Sequence, residues 1–207
     1  ADPTRTAFAL PIHPDDRIEI QNTLVIGVDH DPVPRSALEC QSFADRGFPA
    51  CYDGHEGTDF IVWGGFDRID VYDVRVVAAA PGVVVRVEDG NYDRCHGDFR
   101  SGDVSCDGQP MRSNRVHIRH DDGLESRYLH LQRGSLTVAP GDMVRCGQII
   151  ALVGSSGRPA APHLHFEVVD DQGEVLDPYA GPITGHASYW TQQDEGDGMP
   201  GSVCTRR

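Results

Sequence analysis

The stretch His163-Leu164-His165-Phe166-Glu167-Val168 alternates polar and apolar residues. Side chains alternate between the two faces of a β-strand, so this period of two predicts a strand with both histidines on one face. Its apolar members, Leu164, Phe166 and Val168, would then face a core. Two imidazoles on one strand face can share a site, in which one binds a metal ion and the other carries a proton. Alone, the pattern is equally typical of a solvent face with two unrelated histidines.

Similar short runs, rich in β-branched residues, recur along the chain between Gly, Pro and Asp turns. Their spacing is typical of antiparallel sheets rather than of alternating strands and helices. The sequence therefore predicts an all-β fold, an antiparallel β-sandwich or open barrel with long loops and an irregular N-terminal extension. The expected strands lie at residues 59–63, 74–79, 83–88, 115–120, 125–131, 148–153 and 163–169.

This pattern divides the chain into an extension, a main domain and a tail. Residues 1–50 are rich in Pro and Asp and form an N-terminal extension, expected to pack on the main domain, with a strand-like stretch at 17–28. Residues 51–180 form the main domain, in which 89–114 is a polar insertion between two strands. Residues 181–207 form an irregular C-terminal tail that a disulfide is expected to tether.

The chain has 6 cysteines, none in a Cys-x-x-Cys pair, which favours disulfides over a metal-thiolate site. Disulfides form in oxidising compartments, and a start at Ala1 is compatible with a removed leader. We therefore expect a secreted, extracellular or periplasmic protein. The simplest pairing joins Cys40 to Cys51, Cys95 to Cys106, and Cys146 to Cys204.

Charge and hydropathy exclude several classes of partner. The formal charge is -14 and all 18 basic residues are arginine, so phosphate backbones repel the chain and a nucleic-acid partner is not expected. The longest apolar run, 76–85, is broken by Pro81 and Gly82 and is too short to span a bilayer. A biotinyl or lipoyl carrier domain needs a lysine, which this chain lacks. A monomer is expected.

Two further segments carry candidate ligands or catalysts. His55-Glu56-Gly57-Thr58-Asp59 can bring a His and an Asp onto one ion if the chain turns at Gly57, and both donors suit zinc. Tyr128-Leu129-His130-Leu131 alternates, which would place Tyr128 and His130 on one strand face. Singly, each segment is more typical of a surface loop or a structural strand. Together, the segments supply a full ligand set with spare histidines.

These segments, in this order and at these separations, resemble the lysostaphin-like (LytM-type) zinc endopeptidases. The resemblance covers roughly residues 53–178. Its motifs are His-x-Gly-x-Asp-Phe at 55–60, Ala-Pro-Gly-Val-Val at 80–84, Tyr-Leu-His-Leu at 128–131, Pro-Gly-Asp-Met-Val at 140–144, Gly-Gln-Ile-Ile at 147–150, Gly-Ser-Ser-Gly at 154–157 and Pro-His-Leu-His-Phe-Glu at 162–167. The chain departs from the family at 63–76, at 89–114 and before residue 50, which bears on substrate choice.

The resemblance implies a zinc endopeptidase that cleaves peptidoglycan peptides, commonly Gly-Gly bridges or bonds beside D-alanine, or in some members glycine-rich proteins. It makes residues 51–180 the peptidase domain and assigns three side chains as ligands of one Zn2+ ion per chain: His55, Asp59 and His165. The two catalytic histidine positions fall on His163 and His130. We expect His163 to accept a proton from the attacking water and His130, assisted by Tyr128, to stabilise the oxyanion.

Two other interpretations stay open. His55-Glu56-x-x-Asp59 superficially resembles a helical His-Glu-x-x-His motif with Glu56 as base, although Gly57 and the β-branched pair Ile61-Val62 argue against a helix. The chain could instead be a non-catalytic zinc-binding relative, acting as a cell-wall module or as an activator of another hydrolase. The complete set of ligand and catalytic positions favours the enzyme.

Overall fold

An 8-stranded antiparallel sheet organises the molecule. The computed structural model describes residues 5–31, 33, 50–98, 101, 103–181, 183–193 and 198–204, with the backbone alone for 22–24. Its strands are β1 (Ile20–Ile26), β2 (Thr58–Val62), β3 (Arg75–Val77), β4 (Gly82–Glu88), β5 (His96–Gly97), β6 (Val104–Ser105), β7 (Arg115–Arg119), β8 (Glu125–Leu129), β9 (Met143–Val144), β10 (Ile149–Leu152), β11 (His163–Val169) and β12 (Val175–Leu176). A 3-10 helix (Pro14–Glu19) and one short α-helix, α1 (Gly65–Ile69), complete the described elements.

The main sheet runs in the order β1-β2-β11-β8-β7-β4-β9, with β12 paired to the end of β11. Strands β3 and β10 form a second small sheet, and β5 and β6 a third. Among the described residues the main sheet does not close, because β1 and β9 remain as edges. The all-β prediction is confirmed, and the architecture is an open sheet rather than a closed barrel.

One face of the main sheet carries the core. Side chains from β2, β11 and β8 meet there, and the largest of them, Phe60, Leu164, Phe166 and Tyr128, are all fully buried. Val76 of β3 and Ile150 of β10 cover them. Burying side chains of this size stabilises the fold by roughly 1.5–3 kcal/mol each.

The N-terminal segment belongs to this core. Phe8, Leu10 and Ile12 are fully buried, and the Phe8 backbone exchanges hydrogen bonds of 2.7 Å with Tyr189 and Thr191. The stretch predicted to be strand-like at 17–28 is the end of the 3-10 helix followed by β1, which pairs with β2. The extension predicted as irregular therefore supplies an edge strand. Residues 34–49 lie outside the described part of the chain.

Disulfides fasten the insertion and the tail. Cys95 is bonded to Cys106, and Cys146 to Cys204, which confirms two of the predicted pairs. The third predicted pair involves Cys40, which lies outside the described residues. Within the described residues, no helix has the length and apolarity needed to cross a bilayer.

A buried ion pair docks the 3-10 helix onto the domain. Asp16 is fully buried, accepts hydrogen bonds from Arg75 Nε (2.8 Å) and from the Tyr72 hydroxyl (2.7 Å), and lies 2.7 Å from Arg75 NH2. Burial raises the pKa of the Asp16 carboxyl, but the hydrogen bonds and charge of Arg75 and the bond from Tyr72 outweigh burial and lower it to about 2. The carboxylate is therefore more stable in the folded protein than in the unfolded chain.

We expect Asp16→Asn to lower the free energy of unfolding at pH 7 by about 2 kcal/mol. Because the folded-state pKa is depressed, the advantage of the parent is complete above about pH 4 and is lost as the pH falls towards 2. Urea unfolding of parent and variant between pH 7 and pH 2 measures this. Asp15→Asn is the control, since Asp15 is exposed and 3.6 Å from Arg75, and it should change stability by less than about 0.5 kcal/mol. A constant difference between parent and Asp16→Asn over the whole pH range would contradict this account.

Candidate metal centre

Three side chains on the outer face of the main sheet direct donor atoms at one point. His55 Nε2 lies 3.1 Å from Asp59 Oδ1 and 3.1 Å from His165 Nδ1, and the last two atoms are 2.7 Å apart. All three side chains are buried. The donor triangle, as we call these three atoms, joins two imidazole nitrogens and one carboxylate oxygen.

Strand register builds two corners of the triangle. Asp59 of β2 is the direct partner of His165 of β11, so both side chains leave the sheet side by side on the same face. His55 precedes β2 in a loop. Gly57 leaves the room this loop needs, because a Cβ there would lie 2.7 Å from the His165 ring. Gly57 thus serves close packing, whereas the sequence suggested a turn. Glu56 is exposed in the loop, which excludes the helical His-Glu-x-x-His interpretation.

Each imidazole of the triangle is held by its distal nitrogen. His55 Nδ1 donates to the Gly27 carbonyl at 2.7 Å, and His165 Nε2 lies 3.1 Å from Glu167 Oε1. A carbonyl oxygen only accepts, so His55 Nδ1 carries a proton, and Nε2 is the nitrogen left to bind an ion at the triangle. Tyr52 also covers His55, with 4.3 Å between ring centroids. These contacts orient the donors before any ion arrives.

The two remaining predicted histidines stand beside the triangle. His163 Nε2 lies 3.4 Å from Asp59 Oδ1, and the ring centroids of His130 and His163 are 4.7 Å apart. His163 Nδ1 donates to the Ala161 carbonyl at 2.8 Å, and His130 Nδ1 to the Ser156 carbonyl at 2.6 Å. By the same argument, each Nδ1 carries a proton, and Nε2 is the nitrogen that each ring turns to the site. His130, His163 and His165 also form a second group whose donor atoms lie within 4.8 Å of one another.

His130 reaches this position because β8 ends one residue earlier. Its backbone has φ 63°, in the left-handed region that a residue other than glycine occupies only at a cost. Three contacts hold it there: Ser113 Oγ accepts from its amide at 2.9 Å, the Gly154 amide donates to its carbonyl at 3.1 Å, and its ring binds Ser156. The predicted strand 125–131 is therefore wrong at its end, since His130 turns out of it.

Tyr128 is not part of this cluster, and its predicted catalytic role is corrected. It pairs directly with Phe166, whereas Leu129 pairs with His165, so Tyr128 faces the core on the other side of the sheet. The ring is fully buried, and its hydroxyl accepts from the Ala79 amide at 2.8 Å. Burial raises the pKa of the phenol to about 12. The expected shared face with His130 fails because alternation stops where the backbone leaves the strand.

The site attracts positive charge. Burial raises the pKa of Asp59, but the facing imidazoles of His55, His163 and His165 outweigh burial and hold that pKa well below its usual range. Burial lowers the pKa of His165, but Asp59 and Glu167 outweigh it and raise the pKa to about 10. Burial, with His163 and His165, holds the pKa of His130 well below its usual range, so that ring is neutral.

The donor set fits a zinc ion. Zinc binds imidazole nitrogen and carboxylate oxygen at roughly 2.0–2.2 Å in tetrahedral geometry, which separates two ligand atoms by roughly 3.3 Å. The triangle has sides of 2.7–3.1 Å, each shorter than that separation by less than about 0.7 Å. Three protein ligands leave a fourth position, which is typical of catalytic rather than structural zinc sites.

Several groups that contact the imidazoles of the site were not predicted from the sequence. The carbonyls of Gly27, Ser156 and Ala161 orient rings, and a backbone oxygen leaves no signature in residue type. Glu167 could have been predicted from the sequence, because the alternation from His163 through His165 places it on the same strand face.

Comparison with known proteins gives a family. Residues 54–178 match the sequence profile of Peptidase family M23. Peptidoglycan DD-endopeptidase ShyB of Vibrio cholerae is 45% identical over 60 residues, which is 29% of this chain and 14% of that protein. Peptidoglycan DD-endopeptidase ShyC of the same species is 33% identical over 113 residues, 55% of this chain and 19% of that protein. The chain thus spans less than a fifth of either relative.

A solved structure shares the fold. A chain of the SpoIIQ–SpoIIIAH pore-forming complex aligns with a TM-score of 0.53 and 21% identity over 84% of this chain and 89% of that chain. At this identity the likeness concerns the fold alone.

We expect Tyr128→Phe to lower the free energy of unfolding by about 1–3 kcal/mol, because the buried Ala79 amide loses its acceptor. The affinity of the metal centre for zinc should stay within about twofold, since the ring lies behind the sheet. Urea unfolding and zinc titration against a chelator dye measure the two quantities. A large loss of zinc affinity at unchanged stability would show that Tyr128 contributes to the metal centre after all.

Proposed function

The chain belongs to Peptidase family M23, and on that premise we propose that it is a zinc-dependent endopeptidase that hydrolyses peptide bonds of peptidoglycan. The observation that carries the proposal is the donor triangle with two more imidazoles beside it. A structural metal site needs only ligands, whereas this one has two further imidazoles, which can act as nitrogen bases, beside it.

His55, Asp59 and His165 would hold the ion. Zinc in such a site acts as a Lewis acid on a carbonyl oxygen and makes water nucleophilic at neutral pH. The chain's own contribution is orientation: each ligand ring is held by a hydrogen bond at its far nitrogen, at 2.7 Å for His55 and 3.1 Å for His165. Preformed geometry lowers the reorganisation needed on binding.

His163 and His130 would handle protons. Both bind a backbone carbonyl through Nδ1, which leaves Nε2 on the side of the triangle, so the neutral form of each ring can accept a hydrogen from a water molecule there. We assign His163 as the base that takes the proton. Its Nε2 is 3.4 Å from Asp59 Oδ1, a corner of the donor triangle, and so lies beside the place that the ion would occupy. His163 would then donate that proton to the leaving amine. His130 would orient the water through its second hydrogen, in place of the oxyanion role expected from the sequence.

The substrate follows from the relatives and from the compartment. ShyB and ShyC are named peptidoglycan DD-endopeptidases, and peptidoglycan lies outside the cytoplasm. The two disulfides of the described residues need an oxidising compartment, which supports an extracellular or periplasmic location. Peptidoglycan stem peptides or cross-bridges are therefore the proposed substrate.

We expect His55→Ala and Asp59→Asn each to abolish stoichiometric zinc binding and hydrolysis together, because each removes or weakens one corner of the triangle. Metal analysis of dialysed protein and mass spectrometry of products from purified peptidoglycan measure this. The control is His96→Ala, an exposed histidine outside the cluster, which should retain one zinc per chain. Chelation should abolish hydrolysis by the parent, and added zinc should restore it. Full zinc binding by both triangle variants would refute the metal centre.

We expect His163→Ala and His130→Ala to keep zinc and to lose about 100- to 10,000-fold in kcat/KM, because proton transfer contributes about that much. Rates on peptidoglycan peptides and on pentaglycine, with zinc content measured in parallel, test this and give the bond preference. Zinc binding by the parent without hydrolysis of either substrate would instead favour a non-catalytic wall-binding module.

A further inference from the structure

We propose that Glu167 is a positioning residue for His165: its carboxylate fixes the plane of the imidazole and thereby sets the affinity of the site for zinc. The inference rests on the proposed zinc site and deepens it. Glu167 would not touch the ion or the substrate, because it contacts His165 at the ring nitrogen directed away from the donor triangle.

The strand pattern places Glu167 beside this ring. Glu167 follows His165 by two residues on β11, so both side chains leave the same face of the sheet. Glu167 Oε1 lies 3.1 Å from His165 Nε2, while His165 Nδ1 lies 2.7 Å from Asp59 Oδ1. One contact alone would let the ring pivot about it. Contacts at both nitrogens hold the ring plane.

Among the four imidazoles of the site, His165 is held differently. His55, His130 and His163 each donate to a backbone carbonyl, whereas His165 meets a side-chain carboxylate. A carboxylate makes a stronger, charge-assisted bond and increases the basicity of the ligand ring. This contact can also be removed by substitution, which the backbone carbonyls do not permit.

A second row of charges holds Glu167 itself. Arg127 is the cross-strand partner of Glu167, and its NH1 lies 3.4 Å from Glu167 Oε2. Arg127 Nε in turn donates to Glu125 Oε1 at 2.9 Å. Glu167 has only 9% of its surface exposed, so its buried charge needs the contacts with both His165 and Arg127. Thus one oxygen faces His165 and the other faces Arg127, which prevents the carboxylate from rotating away.

The test is zinc affinity, measured by competition with a chelator dye on the full chain. Glu167→Ala should bind zinc about 10- to 100-fold more weakly than the parent, in line with the loss of other contacts behind a metal ligand. Glu167→Gln keeps an oxygen acceptor without the charge and should lie between the two. Glu174→Ala, an exposed glutamate on the following turn, is the matched control and should bind like the parent.

Two further measurements separate positioning from general folding. The visible spectrum of the cobalt-substituted protein should change in Glu167→Ala and not in Glu174→Ala, because only a reoriented ligand alters the metal geometry. Unfolding of the metal-free proteins gives stability independently. If Glu167→Ala does not fold, Glu167→Gln and Arg127→Met carry the same comparison, with a weaker affinity expected for each.

The outcomes distinguish this inference from the proposed function. A parent that binds no zinc refutes the metal centre and everything built on it. A parent that binds zinc, with folded Glu167→Ala and Glu167→Gln that bind it within twofold and show an unchanged cobalt spectrum, refutes the positioning role alone.

Discussion

A carboxylate almost without access to water constrains this molecule. Asp59 has 3% of its surface exposed, and a single oxygen of it faces nitrogens of His165, His55 and His163 at 2.7, 3.1 and 3.4 Å. Removing a charge from water costs several kcal/mol unless partners compensate. The surrounding imidazoles provide that compensation. The register of the sheet and the loop before β2 place these rings around the carboxylate. Gly57 leaves room for one ring, and the Gly27 carbonyl orients another.

Much of the fold could be predicted because its strands alternate. The period of two at His163 to Val168 gave both the strand and the face on which each residue lies, and the structure agrees. Alternation fails where the backbone stops being extended. At His130, φ 63° turns the chain out of β8, and a two-residue rule then misplaces Tyr128, which lies in the core. Local pattern carries no information about such a turn, since the contacts that hold it come from residues 113, 154 and 156.

The parts outside the resemblance were the hardest to predict. Before residue 50 the sequence showed one imperfect alternation, the strand-like stretch at 17–28 that contains β1, and nothing that indicated the burial of Phe8, Leu10 and Ile12 in the core. Phe8 pairs with Trp190 and Ile12 with Val76, and contacts over such distances along the chain leave no trace in a local window. The disulfides were easier. Cys95 and Cys106 bracket a polar insertion, and Cys146 has a distant partner in the tail at Cys204.

The pairing of Asp59 with His165 across β2 and β11 has a consequence for how the chain folds. A slip of one residue between these strands would turn one partner to the opposite face and separate the two donors. An ion that needs both donors therefore binds only when the two strands are in the native register, and not when they are shifted by one residue. Its binding energy is added to that alignment alone, by mass action. A bound cation would therefore make the native pairing of β2 and β11 more stable than any shifted pairing, whether or not substrate is present.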